Sequence, residues 1–242
     1  MAAAPRIESV SVDDGTFDLH VVAPESGAGG PGILLLQEIF GVNDFLLGKA
    51  ADLAELGYVV ACPDVFWRIE RNVALPHDEE SLGKAFGYME RFNTVDMAVT
   101  AADLLAALAA LRALPEVRGG AAAMGYCLGG RLAYEVAAAG DPDACVSYYG
   151  AGIADRLDDA DRITCPVLFH FGGNDPFIPN EQADAVATAF AGRDDVEVVV
   201  QPDAGHAFEN LLAPAFGDAG AASRSWPVTV SFLERTLRQR VS

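Results

Sequence analysis

The sequence predicts an α/β fold in which a mostly parallel, twisted sheet carries helices on both faces. Three observations support this. Short apolar runs alternate with longer helical patterns, most of the runs lack the in–out alternation of half-exposed strands, and an alternating hairpin stands near the N-terminus. Strands that alternate with helices imply right-handed crossovers and a doubly wound sheet. The 242 residues show no internal repeat, so we expect one domain, 1–242.

The elements follow in chain order. Residues 6–12 and 17–22 alternate apolar and polar side chains around Asp13-Asp14-Gly15, which predicts an antiparallel hairpin. Mainly apolar runs suit central strands at 33–36, 58–62, 121–126, 144–149, 167–171 and 196–200. Helices are predicted at 45–56, 79–91, 95–114, 128–138, 180–190 and 225–237. Pro227 is tolerable in the last helix because it would lie in the first turn.

The charge balance excludes some classes of partner. Thirty-five acidic residues against sixteen basic ones give a formal net charge of −19 and a sequence pI near 4.3. Such a surface repels phosphate backbones and anionic lipid headgroups, so neither nucleic acid nor a membrane surface is an expected partner. We expect a monomer or a weak homo-oligomer.

The chain also lacks the marks of a secreted or membrane protein. Four cysteines are too few for a disulfide framework, and Cys62, Cys145 and Cys165 lie in or beside apolar strands, as core thiols do. No basic segment followed by an apolar stretch opens the sequence. The longest apolar stretch, 97–114, is interrupted by charged residues, which favours a packed helix. The cytoplasm is the expected location.

The sharpest local signal is Gly125-Tyr126-Cys127-Leu128-Gly129-Gly130, between a predicted strand and a predicted helix. It is the nucleophile-elbow pattern G-x-S-x-G of α/β-hydrolases, with Cys in place of Ser. The flanking glycines are needed because the turn is strained and side chains there would collide with backbone. The helix N-terminus favours a thiolate and, later, an oxyanion. The alternatives are a buried Cys in a Gly-rich turn or a phosphate-cradling turn.

Two downstream residues complete a predicted catalytic triad. Asp175 follows the strand 167–171, and His206 follows the strand 196–200, in the order nucleophile, acid, histidine that this architecture uses. In a parallel sheet these loops emerge at one edge. His206 would accept the thiol proton, and Asp175 would fix its tautomer. Asp203 and Glu209 are rival acids, but both lie on the loop of His206 and cannot easily reach its far nitrogen.

The remaining histidines carry no predicted chemistry. His20 lies in the hairpin, His77 in a polar loop and His170 inside a strand. No two of them share the spacing of metal ligands, so no metal site is predicted.

The segment Gln37-Glu38-Ile39-Phe40-Gly41-Val42-Asn43, after the strand 33–36, is the predicted second half of an oxyanion hole. The backbone N–H of Ile39 would donate a hydrogen bond to the oxyanion, beside the backbone N–H of Leu128. Glu38 is unexpected at the end of a central strand because a buried carboxylate is costly without a partner. A solvated loop acid is the alternative.

The segment 37–43 and the elbow segment 125–130 together resemble the dienelactone hydrolase (carboxymethylenebutenolidase) family. Tyr148-Tyr149-Gly150, the loop of Asp175 and Ala204-Gly205-His206 also match in order and spacing, so the resemblance covers nearly the whole chain. It implies a Cys-His-Asp triad that cleaves an activated ester or lactone without a cofactor. It also implies that Glu38 pairs with the resting thiol and swings away when substrate binds.

The sequence departs from the family where two arginines would hold a substrate carboxylate. Asn210 stands four residues after the histidine, and the helix around 79–91 offers Lys84 but no arginine at the matching place. Arg68 and Arg71 are the nearest other cations.

The leading functional hypothesis is a hydrolase of small esters or lactones that works through an acyl-enzyme. An acyltransferase or thioesterase with the same triad and a non-catalytic binding protein of the same fold are the alternatives. The candidate substrate-binding residues are Phe40, Trp67, Arg68, Tyr149 and Phe208, with Phe66 as a further aromatic candidate.

Overall fold

The apolar runs of the sequence form strands, and the longer patterns between them form helices, within residues 1–238, which the computed structural model describes. The strands are β1 (Arg6–Val12), β2 (Gly15–Val22), β3 (Gly30–Leu36), β4 (Val59–Pro63), β5 (Val117–Tyr126), β6 (Ala144–Tyr148), β7 (Val167–Gly172) and β8 (Val196–Gln201). The α-helices are α1 (Asp44–Glu55), α2 (Glu79–Phe92), α3 (Met97–Ala113), α4 (Leu128–Ala139), α5 (Asn180–Ala189) and α6 (Ala219–Leu233). A 3₁₀ segment, Ile153–Arg162, follows β6, and a π-helical turn, Glu234–Arg238, follows α6.

The chain divides into two units, Met1–Ala121 and Ala122 onward, and β5 runs across the boundary. In the first unit the strand order is β1-β2-β4-β3. β1 pairs with β2 in antiparallel fashion, with Val12 opposite Gly15, so a two-residue turn closes the hairpin and that prediction is confirmed. β2 pairs antiparallel with β4, and β4 pairs parallel with β3. The single domain stays a prediction.

In the second unit the strand order is β5-β6-β7-β8, and every pair is parallel, as predicted. Buried side chains fill β6 and β7 from end to end, which is the pattern of strands covered on both faces. The carboxyl ends of parallel strands meet at one edge of a sheet. Cys127 follows β5 directly, and Tyr149 follows β6, whereas Asp175 and His206 stand in the loops after β7 and β8.

Side-chain caps set where the helices begin. Asn43 accepts a hydrogen bond from the Leu46 N–H at the start of α1. The start predicted for the last helix is wrong: α6 begins at Ala219, because the Asp218 side chain caps the Ala221 N–H. Pro227 therefore lies inside α6 and not in its first turn.

Within residues 1–238, no single helix has both the length and the apolar composition that crossing a membrane requires. α2 and α3 meet those criteria only as a pair, and they are bent by 105° at their junction.

Candidate active site

Cys127 occupies the tip of the sharp turn between β5 and α4. Its backbone has φ 54° and ψ −115°, a conformation that a non-glycine residue adopts only under constraint. A Cβ atom at Gly125 would lie 2.2 Å from the Gly129 carbonyl oxygen, and one at Gly130 would lie 2.6 Å from the Tyr148 carbonyl oxygen. The glycines on both sides of the cysteine are therefore required by space, and they let the turn present the thiol at the start of α4.

Cys127 is also the accessible thiol of the chain. The other three cysteines are buried, which confirms their prediction as core thiols, whereas Cys127 is partly exposed. Burial raises the pKa of Cys165 to about 11 and that of Cys62 higher still. These thiols are inert as nucleophiles because the thiolate is the reactive form.

His206 bridges the cysteine and Asp175. Its Nε2 atom lies 3.1 Å from the Cys127 Sγ atom, and its Nδ1 atom lies 2.7 Å from the Asp175 Oδ2 atom. The other carboxylate oxygen of Asp175 accepts the N–H groups of Phe177 at 2.8 Å and Ile178 at 3.2 Å. The carboxylate is thus anchored by its own loop, and it can hold the imidazole with Nε2 directed at the sulfur.

The electrostatics favour a charged imidazole. Burial opposes protonation of His206, but the charge of Cys127 and the hydrogen bonds with Asp175 and Cys127 outweigh it and raise the pKa of His206 from 6.5 to about 10. The arrangement therefore suits a charged His206 imidazolium beside the Cys127 sulfur.

The two rival acids have other partners. The Glu209 carboxylate is buried and accepts a hydrogen bond of 2.7 Å from the Ser225 hydroxyl. Asp203 is exposed, and its backbone carbonyl oxygen accepts the side-chain amide of Asn174 at 3.3 Å.

Aromatic rings surround the imidazole. The ring of Tyr149 lies 5.2 Å from that of His206, and Phe208 packs edge-on against Tyr149 at 5.2 Å. Both are fully buried, so in this structure these two predicted substrate-binding residues pack behind the histidine. Phe177 lies edge-on to His206 at 5.0 Å and is 48% exposed. Phe177 is not among the predicted substrate-binding residues, although a large apolar residue two positions after the predicted acid is a signal that the sequence contains.

A buried polar chain lies near these rings. The Tyr148 hydroxyl lies 2.6 Å from the Thr229 hydroxyl, which lies 3.0 Å from the His170 Nε2 atom. Burial lowers the pKa of His170 to about 3, so this imidazole is neutral. His170 is thus a core histidine. Within residues 1–238, no group of three or more His, Cys, Asp or Glu side chains is arranged to hold a metal ion.

In the first unit, Glu38 has a buried partner that no sequence pattern indicates. Its Oε2 atom lies 3.2 Å from the Nε2 atom of His77, and both side chains are about 5% exposed. The Phe40 ring lies 4.2 Å from the imidazole, and the Phe45 ring lies edge-on to it. Glu38 is therefore a buried acid and not a solvated one, and Phe40, a predicted substrate-binding residue, packs on its partner.

The chain matches the model of the dienelactone hydrolase family over residues 17–237. It is 39% identical over 213 residues to a carboxymethylenebutenolidase of a Pseudomonas species, covering 86% of this chain and 87% of that one. It is 36% identical to the carboxymethylenebutenolidase of Pseudomonas putida, with 88% and 89% of the two chains covered.

The chain belongs to the dienelactone hydrolase family.

Solved structures of the family share its fold. A dienelactone hydrolase-like promiscuous phosphotriesterase from metagenomic libraries superposes with a TM-score of 0.80 at 28% identity, covering 97% of this chain and 98% of that one. The dienelactone hydrolase of Anabaena variabilis has a TM-score of 0.69 at 19% identity, with the same coverage, which speaks for the fold alone. The predicted family and α/β-hydrolase fold are both confirmed, and the chain is a hydrolase.

The candidate substrate cations of this chain bind other groups of the protein. Lys84 forms an exposed ion pair with Glu80, one helical turn away, at 2.7 Å. An Arg71 guanidinium nitrogen donates to the Thr16 carbonyl oxygen at 2.7 Å. Asn210 is fully buried, and its side-chain oxygen accepts the Leu212 N–H at 3.1 Å.

Arg68 and Trp67, both predicted to bind substrate, share one carboxylate. The Asp103 carboxylate accepts the Trp67 indole N–H at 2.9 Å and the Arg68 Nε–H at 2.7 Å. Asp14 binds the other side of the guanidinium through two hydrogen bonds of 2.6 and 2.9 Å. The Trp67 ring also stacks on Phe17, with ring centroids 5.6 Å apart. The contacts of this cluster tie the hairpin turn, the β4–α2 loop and α3 together.

Proposed function

We propose that the chain hydrolyses small esters or lactones through a thioester acyl-enzyme on Cys127. The single observation that carries the proposal is the pair of contacts made by His206, at 3.1 Å to the Cys127 sulfur and 2.7 Å to Asp175. Membership of the dienelactone hydrolase family supports the substrate class, since the relatives named above are carboxymethylenebutenolidases.

In the first step the Cys127 thiolate attacks the carbonyl carbon of the ester or lactone. The carbonyl electrons move to oxygen, and the oxyanion is stabilised by the N–H of Leu128, the first residue of α4. Collapse of this intermediate expels the alkoxide, which takes the proton of the His206 imidazolium. With a lactone the alcohol stays attached to the acyl group, so the acyl-enzyme carries the opened ring.

In the second step water replaces the thiol. His206, now neutral, removes a proton from the water as it attacks the thioester carbonyl, and the thiolate leaves as the carboxylic acid forms. Asp175 supports both steps because it holds the Nδ1–H and stabilises the imidazolium. The roles of Glu38 and of the Ile39 N–H, which the family resemblance implies, belong to this proposal as well, as does a cytoplasmic location.

The test is a panel of chromogenic esters, lactones and thioesters assayed with the wild type and Cys127→Ala. We expect a burst of the first product in the wild type, loss of all but a few per cent of turnover in the variant, and higher specificity constants for esters or lactones than for thioesters. A preference for thioesters would instead favour a thioesterase. Absence of turnover with a bound ligand would favour a binding protein.

A further inference from the structure

Arg131 lies one helical turn after the cysteine. Its N–H donates to the Cys127 carbonyl oxygen at 3.2 Å, in the first turn of α4. Residues four apart share a face of a helix, and long side chains there point back toward the N-terminus. We therefore expect the Arg131 side chain to lean toward the end of α4 at which the thiol stands.

The guanidinium is also covered by protein. Its Nε and Nη2 atoms are buried and have no hydrogen-bond partner among residues 1–238. The loop after β6 packs over its stem: a Cβ atom at Gly152 would lie 3.4 Å from the Arg131 Cδ atom, and one at Gly150 would lie 2.9 Å from its backbone nitrogen. Because solvent does not reach these two nitrogens, a substrate anion cannot bind them directly.

The nearest carboxylate on the same helix is held by another arginine. Glu135 stands one turn after Arg131, but its two oxygens lie 3.2 and 3.4 Å from Nε and Nη2 of Arg156. Burial lowers the pKa of Arg131, and the charge of Arg156 acts in the same direction, although the charges of Glu135 and Cys127 oppose them. Glu135 is thus engaged by Arg156, and among residues 1–238 no carboxylate oxygen is hydrogen-bonded to the Nε or Nη2 atom of Arg131.

We propose that Arg131 is a positioning residue whose fixed charge stabilises the thiolate of Cys127 and so favours the thiolate–imidazolium pair with His206. The inference rests on the proposed function, in which this thiolate is the nucleophile. Arg131 keeps its proton throughout the cycle, and it exchanges none with substrate. The other charged groups that face this region within the second unit are Asp175 in the β7–α5 loop, Glu135 on α4, and Arg156 and Asp159 on the 3₁₀ segment.

The pH dependence of iodoacetamide labelling at Cys127 tests this role, with labelling located by peptide mass spectrometry. Arg131→Met and Arg131→Gln remove the charge, and Arg131→Lys retains it. In the two neutral variants we expect the apparent pKa of labelling to rise by about one unit, with labelling near neutral pH slowed about tenfold. Arg131→Lys should restore most of the rate. Arg162→Met, which removes a 61% exposed arginine from the 3₁₀ segment, is the matched control and should leave the profile unchanged.

An unchanged labelling profile in a folded neutral variant would overturn the proposal. If neither neutral variant folds, Arg131→His decides the question, because an imidazole loses its charge as the pH rises through the neutral range. Labelling near neutral pH should then be slower than in Arg131→Lys, and equal rates in the two variants would overturn the role. Labelling does not require turnover, so this assay tests the role of Arg131 independently of ester hydrolysis. The proposed function has its own test, because ester hydrolysis that survives in Cys127→Ala would refute it.

Discussion

The imidazole Nε2 atom of His206 lies 3.1 Å from the sulfur of Cys127, although 79 residues separate the two in the chain. The contact joins the loop after β8 to the turn after β5, and both follow strands of the same parallel set. On the other side of the ring, Asp175 lies 2.7 Å from Nδ1. Each nitrogen of the imidazole therefore has one partner, and the tautomer that can accept a proton from the thiol is fixed.

The first prediction concerns stability against pH. His206 binds its proton more tightly in the folded chain, since its pKa is raised from 6.5 to about 10. The stabilisation that its charge contributes is therefore fully present below about pH 6.5 and is lost as the pH rises through about 10. We expect the free energy of unfolding of the wild type to fall across this range relative to His206→Gln. Urea denaturation at several pH values measures it, and parallel curves for the two proteins would contradict the charged pair.

The second prediction concerns the base and the acid. His206→Ala and Asp175→Asn should lower kcat by about 10²–10⁴-fold, because one removes proton transfer and the other leaves the wrong tautomer. Asp203→Asn is the matched control: it changes an exposed acid on the histidine loop and should keep activity near that of the wild type. Steady-state kinetics on one chromogenic ester make the comparison. A larger loss in Asp203→Asn than in Asp175→Asn would show that the acid is misassigned.

The third prediction concerns Glu38. If this acid favours the protonated thiol, as the family resemblance implies, Glu38→Gln should speed iodoacetamide labelling of Cys127 near neutral pH, since a nearby anion raises a thiol pKa. His77→Gln is a companion variant, because His77 lies 3.2 Å from the carboxylate and helps to hold it. Identical labelling profiles for the wild type and Glu38→Gln would remove the gating role.

The fourth prediction concerns substrate charge. Lys84 and Arg68 are engaged by acidic side chains, and the whole chain carries a formal −19, which disfavours the approach of an anion. We expect neutral small esters or lactones to have higher kcat/KM values than carboxylate-bearing analogues of the same size. A matched carboxylate and methyl ester, assayed at low and moderate salt, test it.

Arg68→Ala is the informative variant for this comparison. Because the guanidinium links Asp103 to Asp14, we expect it to lower stability and to leave the preference between the two substrates unchanged. A preference for the carboxylate that vanishes in Arg68→Ala or in Arg71→Ala would show that an anion site exists on this loop.

Local patterns were sufficient to predict the strands and the elbow. The glycines around Cys127 are required by steric contacts within a short segment, so their spacing is visible in the sequence. Asp175 and His206 each follow an apolar run, and parallel strands bring the loops at their carboxyl ends to one edge of the sheet. The start of α6 was misjudged because Pro227 suggested a first turn, whereas the Asp218 cap that sets the start lies nine residues earlier.

Partners brought together by loops could not be read from patterns. His77 reaches Glu38 because the segment around Val73 pairs with the loop after β3, where the Val42 N–H donates to the Val73 carbonyl oxygen at 2.9 Å. Likewise, Arg68 binds Asp103, which lies 35 residues later in the chain, on α3. No periodicity or spacing rule connects such residues, since the contacts depend on the path of a loop without regular structure.

Hydrolysis through a thioester requires an acyl group on Cys127, and mass spectrometry can detect that group directly. The wild type is mixed with a chromogenic acetate ester, quenched in acid within the burst and analysed by intact-mass and peptide mass spectrometry. We expect one acetyl group, located on Cys127, and none in Cys127→Ala. Burst turnover with an unmodified Cys127, or an acetyl group of equal yield on another residue in Cys127→Ala, would contradict it.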